Sequence, residues 1–418
     1  MRIAIVAPLF ELVPPRQYGG TERVVYFMVE ELVRLGHTVT LYAARGSQTS
    51  GQLIECWDGT FREQGIGCSV EETREPYTAQ IKLAMSGIVS HDVVHIHHAV
   101  ADYHPLVLES LRDIPVVWTD HNSVHDQDKP RIFDSLAKLD IGLTALSASH
   151  RGTVPDANWL ATIHHGLPKS LLTPKETAPS YLAFLGRISP EKGITAAVRI
   201  AKAAALELKV AAKLDKVDQS FYDEEVQPLF AASRVDWIGE ICDGAKADFL
   251  SAAIALIFPI QWLEPFGLVM IEAMACGCPV VAFGVGSVPE VLENGVTGFV
   301  VDTEEEAVQA LRRIRSLDRQ RIRQSFEQRF TSTTMAKKYV KVYERIIQEA
   351  NTRRIAQETT TSSHAQAAML RKHSEYAVMD SLYSELLDSF PLPPVQQAPA
   401  PLKAASVWPH ISAMPVSA

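Results

Sequence analysis

Short apolar runs alternate with segments of helical period, and the alternation passes through two cycles before it stops. RIAIVAP (2–8) reads as a strand. TERVVYFMVEELVRLGH (21–37) follows, with apolar residues at helical spacing and Gly36 as a C-cap signal. TVTLYAA (38–44) is a second strand. Strand, helix and strand within about 40 residues make a βαβ unit, and that unit demands a parallel sheet. The rhythm continues through DVVHIHH, IPVVWTDH, IGLTALSASH and ATIHHGL, whose ends place His, Asp and Ser at the carboxyl edge of the sheet. A second cycle starts at YLAFLGRISPEKG. It predicts a helix over 193–207, strands LKVAAKL and VDWIGE, a helix over 245–253, strand ALIFPI, a helix over 267–276 and strand PVVAFG.

A chain of 418 residues is too long for one ordinary core, which fits this doubling. The predicted fold is α/β: two Rossmann-like doubly wound domains, at 1–168 and 169–329, facing across a cleft between their carboxyl edges. A final amphipathic helix over 330–350 is expected to pack back across the domains. From 351 to 418 the chain turns to Thr, Ser, Pro and Ala, a composition that buries too little apolar area to offset chain entropy. This tail is read as largely disordered. Within it, 369–390 has the pattern of an amphipathic helix, either transient or the docking element for a partner.

The net charge of −9 argues against non-specific nucleic-acid binding. The five cysteines lack a Cys-x-x-Cys pair, and Cys276 and Cys278 read as small buried residues in a reducing compartment. No stretch approaches the roughly 18 apolar residues of a spanning helix, and MRIAIVAP enters a strand without a signal region. The expected location is cytoplasmic.

Two segments carry candidate chemistry. In GRISPEKG (186–193) a strand ends and a helix begins, and helix N-termini favour phosphate. Arg187 and Lys192 would bring two charges to that place; a solvated surface pair is the other reading of their spacing. In QWLEPFGLVMIEAMACGCPVV (261–281), Glu264 and Glu272 flank a helix start, and a buried carboxylate is costly unless hydrogen-bonded. Were 264–272 all helical, the two would stand about 12 Å apart along the axis. That is too far for the carboxylate pair of a retaining glycosidase, which sits about 5 Å apart. The spacing suits the two ends of one elongated ligand, with free amides at Phe266, Gly267 and Leu268 between them. A carboxylate beyond a phosphate can take ribose hydroxyls, and one before it can take sugar hydroxyls. Such a ligand is a nucleotide-sugar.

Two other clusters imitate metal sites. Asp120, His121, His125, Asp126 and Asp128 lie in DHNSVHDQD, and a polar active-site loop is the simpler reading. In HIHH, His95 and His97 share one strand face, but no spaced Cys or carboxylate completes a ligand set. Histidines satisfied near the sheet edge are expected there, and no metal is assigned.

Residues 1–348 resemble the GT-B glycosyltransferases of the retaining GT4 family, through YGGTERVV, GRISPEKG, EPFGLVMIE and AMACGCPVVAFGVGSVPEVLENGVTGFVV in that order. The resemblance implies a metal-independent transferase that takes a nucleotide-diphospho-sugar as co-substrate and keeps the anomeric configuration, with no other cofactor. It implies that Arg187 and Lys192 neutralise the leaving diphosphate, Glu264 binds donor-sugar hydroxyls and Glu272 binds the ribose. Gly19 and Gly20 match the loop that approaches the donor phosphate or the acceptor, and His121 the histidine beside the sugar C6 hydroxyl. Trp237 and Gly239 match a base-binding turn by position only. The base is expected to be uridine ahead of guanosine or adenosine. The acceptor (sugar, lipid or small molecule) is set by loops 9–20, 60–75 and 121–130, and peripheral membrane contact stays open because many family members glycosylate lipids. The same scaffold also supports nucleotide-sugar epimerases, phosphorylases and non-catalytic binding proteins.

Overall fold

The computed structural model describes residues 1–16, 19–67, 69–86, 91–98, 115–122, 136 and 141–355. The candidate helix at 369–390 lies outside them, as do His125, Asp126 and Asp128. One compact unit spans Met1–Thr352.

Two parallel sheets organise that unit. The first holds β1 (Arg2–Val6), β2 (Thr38–Ala44), β3 (Gln52–Trp57), β4 (Val93–Ile96), β5 (Val116–Thr119), β6 (Gly142–Ala145) and β7 (Trp159–Thr162), in the order β3-β2-β1-β4-β5-β6-β7. The second holds β8 (Tyr181–Arg187), β9 (Leu208–Lys213), β10 (Val235–Gly239), β11 (Ala253–Phe258), β12 (Val280–Phe283) and β13 (Gly298–Val301), in the order β10-β9-β8-β11-β12-β13. In each, the order reverses beside the first strand. A crevice therefore opens at the carboxyl ends of β1 and β4, and another at those of β8 and β11.

The strands read as apolar runs because both faces are covered. Helix α1 (Gly20–Arg34) buries Val24, Val25, Met28, Val29 and Leu32 against one face of the first sheet. Each such side chain contributes about 1.5–3 kcal/mol on full burial. The helix expected at 193–207 is α2 (Ile194–Ala203); it stops where Ala205 takes a left-handed φ of 55° and the chain turns into β9. Helices α3 (Asp243–Ser251) and α4 (Leu268–Ala275) lie close to their expected spans. Two strands, β3 and β13, have no counterpart in the sequence reading. The first is a half-exposed edge strand without clean alternation, and the second is four residues long.

After the second sheet the chain returns to the first. Leu167 and Thr331 form a bridge, with Leu167 N–H donating to Phe330 O at 2.9 Å and Ser332 N–H to Leu167 O at 2.8 Å. A helix over 332–355, here α5, then lays Met335, Ala336, Tyr339, Val342, Tyr343 and Ile346 into the core of the first sheet. Its polar atoms reach a buried histidine: His95 sits between the Tyr343 hydroxyl and Thr119 Oγ1, each 2.7 Å from a ring nitrogen. Among the described residues no helix is long and apolar enough to cross a membrane.

The carboxyl edge of the first sheet carries a block of histidines. The His95 and His97 rings are 3.9 Å apart, His97 Nδ1 meets His121 Nε2 at 2.9 Å, and His121 stacks on His165 at 5.2 Å. His98 contacts the Ala7 carbonyl through Nε2 at 2.7 Å. Burial keeps all five neutral: it pushes His98 and His121 down to about 3 and lowers His95, His97 and His165 as well. Since the unfolded chain takes up these protons near pH 6.5, their contribution to stability is complete above that pH and falls as pH drops toward 3. Melting temperature should fall increasingly steeply from about pH 6.5 to pH 5, as each histidine held neutral removes up to about 1.4 kcal/mol of stability per pH unit below 6.5. A flat profile over that range would show that the block opens to water.

Candidate active site

The GRISPEKG segment leaves β8 and passes a single turn at Pro190–Lys192 before α2. Gly193 takes a left-handed φ of 73°, and a Cβ there would stand 2.0 Å from the Pro259 carbonyl oxygen. Only glycine permits this approach. The turn is thereby pressed onto the loop after β11, where Gln261 N–H donates to Glu191 O at 2.9 Å.

That contact brings Lys192 to Glu264, 72 residues away. Lys192 Nζ donates to Glu264 Oε2 at 2.6 Å, and the Trp262 indole N–H donates to the same oxygen at 2.7 Å. The ammonium also lies 4.8 Å from the Trp262 ring centre. Arg187 pairs with Glu191 and lies 3.7 Å from both Asp215 and Asp218. Burial alone would raise the Glu191 carboxyl, but Ser189, the backbone and Arg187 hold it below its ordinary value. Burial raises Asp218 despite the guanidinium beside it. The two cations of the sequence motif thus arrive at one crevice, each neutralised by carboxylates.

Glu264 does not lie on the helix. Gly267, with a left-handed φ of 78°, caps α4, which begins at Leu268. Ser287 fixes the intervening turn from behind: its Oγ donates to Phe266 O at 2.7 Å and its N–H to Glu264 O at 3.1 Å. Glu272, one turn into α4, is buried and accepts from Lys246 Nζ at 2.6 Å. The amides that open α4, at Leu268 and Val269, have no carbonyl one turn earlier in the helix to bond, whereas Met270 N–H donates to Gly267 O at 3.1 Å.

Across the crevice, Gly20 starts α1, and a Cβ on it would come 3.6 Å from Leu268 Cδ1; Gly19 rests on the Pro15 ring. His121 reaches the same place through His165, whose ring meets the Phe266 ring edge-on at 5.1 Å. Trp237 and Gly239 stand apart, on the edge strand β10. The Trp237 indole donates to Ala212 O at 3.0 Å and packs against Tyr222 and Phe230, so its ring is committed to the core of the second sheet. Among the described residues no group of three or more His, Cys, Asp or Glu is arranged to hold a metal ion.

Sequence reasoning passed over several side chains that complete this site. Trp262, Glu191, Asp215 and Asp218 surround the motif cations, and Lys246 holds Glu272. Trp262, two residues before Glu264, and Glu191, inside GRISPEKG, stood close enough to attract notice; the spacing of Asp215, Asp218 and Lys246 carries no motif. Glu290 reaches from the second half to the first, accepting from Ala148 N–H at 2.7 Å and Ser149 N–H at 2.8 Å. Glu22, the residue before Arg23 in the GGTER segment, is buried; burial, reinforced by Glu11, raises its carboxyl to about 7.

Residues 173–331 match the family profile described as glycosyl transferases group 1, and residues 18–174 that described as glycosyltransferase family 4. The chain belongs to this family of GT-B glycosyltransferases. It is 36% identical over 126 residues to the alpha-maltose-1-phosphate synthase of Mycolicibacterium smegmatis, a match covering 29% of this chain and about a third (32%) of that relative. The fold is similar to that of sucrose-phosphate synthase from Thermosynechococcus elongatus, with TM-score 0.67 and 19% identity, covering 84% of this chain and 100% of the other. It is also similar to Anabaena HepE in complex with UDP-glucose, with TM-score 0.59 and 16% identity, covering 84% of this chain and 100% of the other.

Glu22 gives this site a distinct pH signature. Its raised folded value means that the folded state holds a proton which the unfolded state releases near 4.5, so its contribution falls as pH rises from 4.5 to 7. Glu22→Gln should therefore gain stability relative to the parent protein over that window, by roughly 3 kcal/mol at most. Urea denaturation at pH 5 and pH 8 measures this; an equal difference at both would remove Glu22 from the titrating groups.

Proposed function

We propose that this protein transfers a hexosyl group from a nucleoside-diphosphate sugar, with a UDP-sugar as first candidate, to the hydroxyl of an acceptor. The supporting observation is the meeting of Lys192 with Glu264, beside Arg187, at the β8–β11 switch point. The ion pairs there are substitutes for a ligand. Lys192 and Arg187 can exchange carboxylate oxygens for those of a diphosphate, and Glu264 is then released to accept sugar hydroxyls. Glu272 takes the ribose, and the α4 amides near Gly267 and Leu268 take phosphate oxygens. The base lies toward the turn at Gly239, met by backbone, since the Trp237 ring is engaged beneath it.

In the reaction, the bond from the sugar C1 to the phosphate oxygen breaks. The acceptor oxygen bonds to C1 from the same face, and its proton passes to the departing phosphate oxygen. Charge grows on the diphosphate, so preorganised donors there contribute most. Gly19, Gly20 and His121 approach from the first half and close the site against water. The solved structure bound to UDP-glucose makes uridine the first base to test. The acceptor, and a partner for residues 351–418, are left to be found by screening.

A panel of UDP-, GDP-, ADP- and dTDP-sugars, followed by nucleoside diphosphate release, tests the reading. One donor should be hydrolysed slowly and selectively. Lys192→Ala should lower that rate by about a hundredfold or more while the melting temperature changes little. Glu264→Ala should abolish selectivity among sugars sharing one base. Release at the parent rate in both variants would refute the assignment.

A further inference from the structure

The donor-ribose carboxylate is wired to the opposite half of the molecule. Glu272 is almost completely buried, with a side chain 4% exposed, and its Oε1 accepts from Lys246 Nζ at 2.6 Å. Lys246, on α3, is itself 11% exposed and lies 3.2 Å from Asp243 Oδ1, one turn earlier on the same helix. The other Asp243 oxygen pairs with Arg23, which is 12% exposed. Arg23 belongs to α1, and its N–H donates to the Gly19 carbonyl at 3.2 Å. A chain of four alternating charges therefore runs from the glycine loop, through Arg23, Asp243 and Lys246, to Glu272. Its two ends are contributed by segments 249 residues apart (272 − 23).

We infer that Arg23 is a positioning residue, through which the glycine-loop half sets the orientation of Glu272 and so the recognition of the donor ribose. The inference rests on the donor reading of Glu272. A carboxylate with one oxygen pinned by Lys246 presents the other in a fixed direction, which is what discrimination of a single hydroxyl requires. Without Arg23, Asp243 draws the ammonium toward itself and Glu272 loses its fixed partner. Lys246 has two carboxylates within reach, and Arg23 decides how it is shared between them. Asp243 is 27% exposed, but Lys246 and Glu272 are shielded from water, so their pairing is the one most sensitive to the loss of its neighbour, because an unpaired buried charge is costly. Binding in the glycine loop and binding of the ribose are thereby coupled, as two sites sharing one network must be.

The readout is the ratio of affinities for ribose and 2′-deoxyribose nucleoside diphosphates, measured by calorimetry with UDP, GDP and ADP and their 2′-deoxy forms. The parent protein should prefer the ribose form of the diphosphate it binds best, by about tenfold or more. Arg23→Gln should reduce that preference several-fold, with a larger effect on donor KM than on kcat. Lys246→Met should remove the preference; if it fails to fold, Lys246→Arg, which keeps the charge with altered geometry, should reduce it. Arg23→Lys should restore most of it. A latch that merely held the halves together would weaken ribose and deoxyribose forms equally, and an unchanged ratio in Arg23→Gln would overturn the inference. A parent protein that binds a diphosphate without preferring ribose would overturn it too. Failure of the parent to bind any of the diphosphates would instead bring down the donor assignment and this inference together.

Discussion

Lys192, Arg187 and Lys246 each rest against a carboxylate, and the cleft depends on that pairing. A lone charge costs most where water is excluded, so the pairing matters most at Lys246 and Glu272, whose side chains are 11% and 4% exposed. Glu264 lies against Lys192, and Glu191 against Arg187. Under the proposed function, a diphosphate that displaces them would meet cations already held in place, with much of the reorganisation completed in folding. Under the same proposal Glu264, once released, accepts sugar hydroxyls.

The parallel topology makes this pairing reachable. Strand order reverses beside β8, so the loops after β8 and β11 leave the sheet in different directions and open a crevice. The Gly193 turn presses one loop onto the other, and Lys192 meets Glu264 there. The first sheet repeats the arrangement, with the histidine block at its own reversal. Helix α5 fastens that block from behind through Tyr339 and Tyr343, so the chain's return to its first half also buttresses the histidine face.

Much of this architecture was legible in the chain. The βαβ rhythm located strands such as RIAIV and YLAFLGR because parallel strands buried on both faces must be continuously apolar. Edge strand β3 escaped notice because a half-exposed edge is under no such demand. In the HIHH run the expectation of satisfied histidines holds for His95, whose two ring nitrogens are both engaged, and not for His97, whose Nε2 is buried without a hydrogen-bond partner among the described residues; no partner was legible. His95 is held by Tyr343, 248 residues away, and no local pattern encodes that distance.

The candidate site divides along the same line. Residue type and spacing were sufficient to bring forward Arg187, Lys192, Glu264 and Glu272, because phosphate and hydroxyl chemistry demands those groups at a strand end and a helix start. The sequence by itself determined two doubly wound halves and a motif set for a nucleotide-sugar. Only the tertiary structure decided that Lys192 closes on Glu264, that Lys246 holds Glu272, that Trp237 turns into the core and that Arg23 reaches Asp243. Those contacts join segments far apart in the chain, and their energies depend on burial, which is a property of the packed molecule and not of any local stretch.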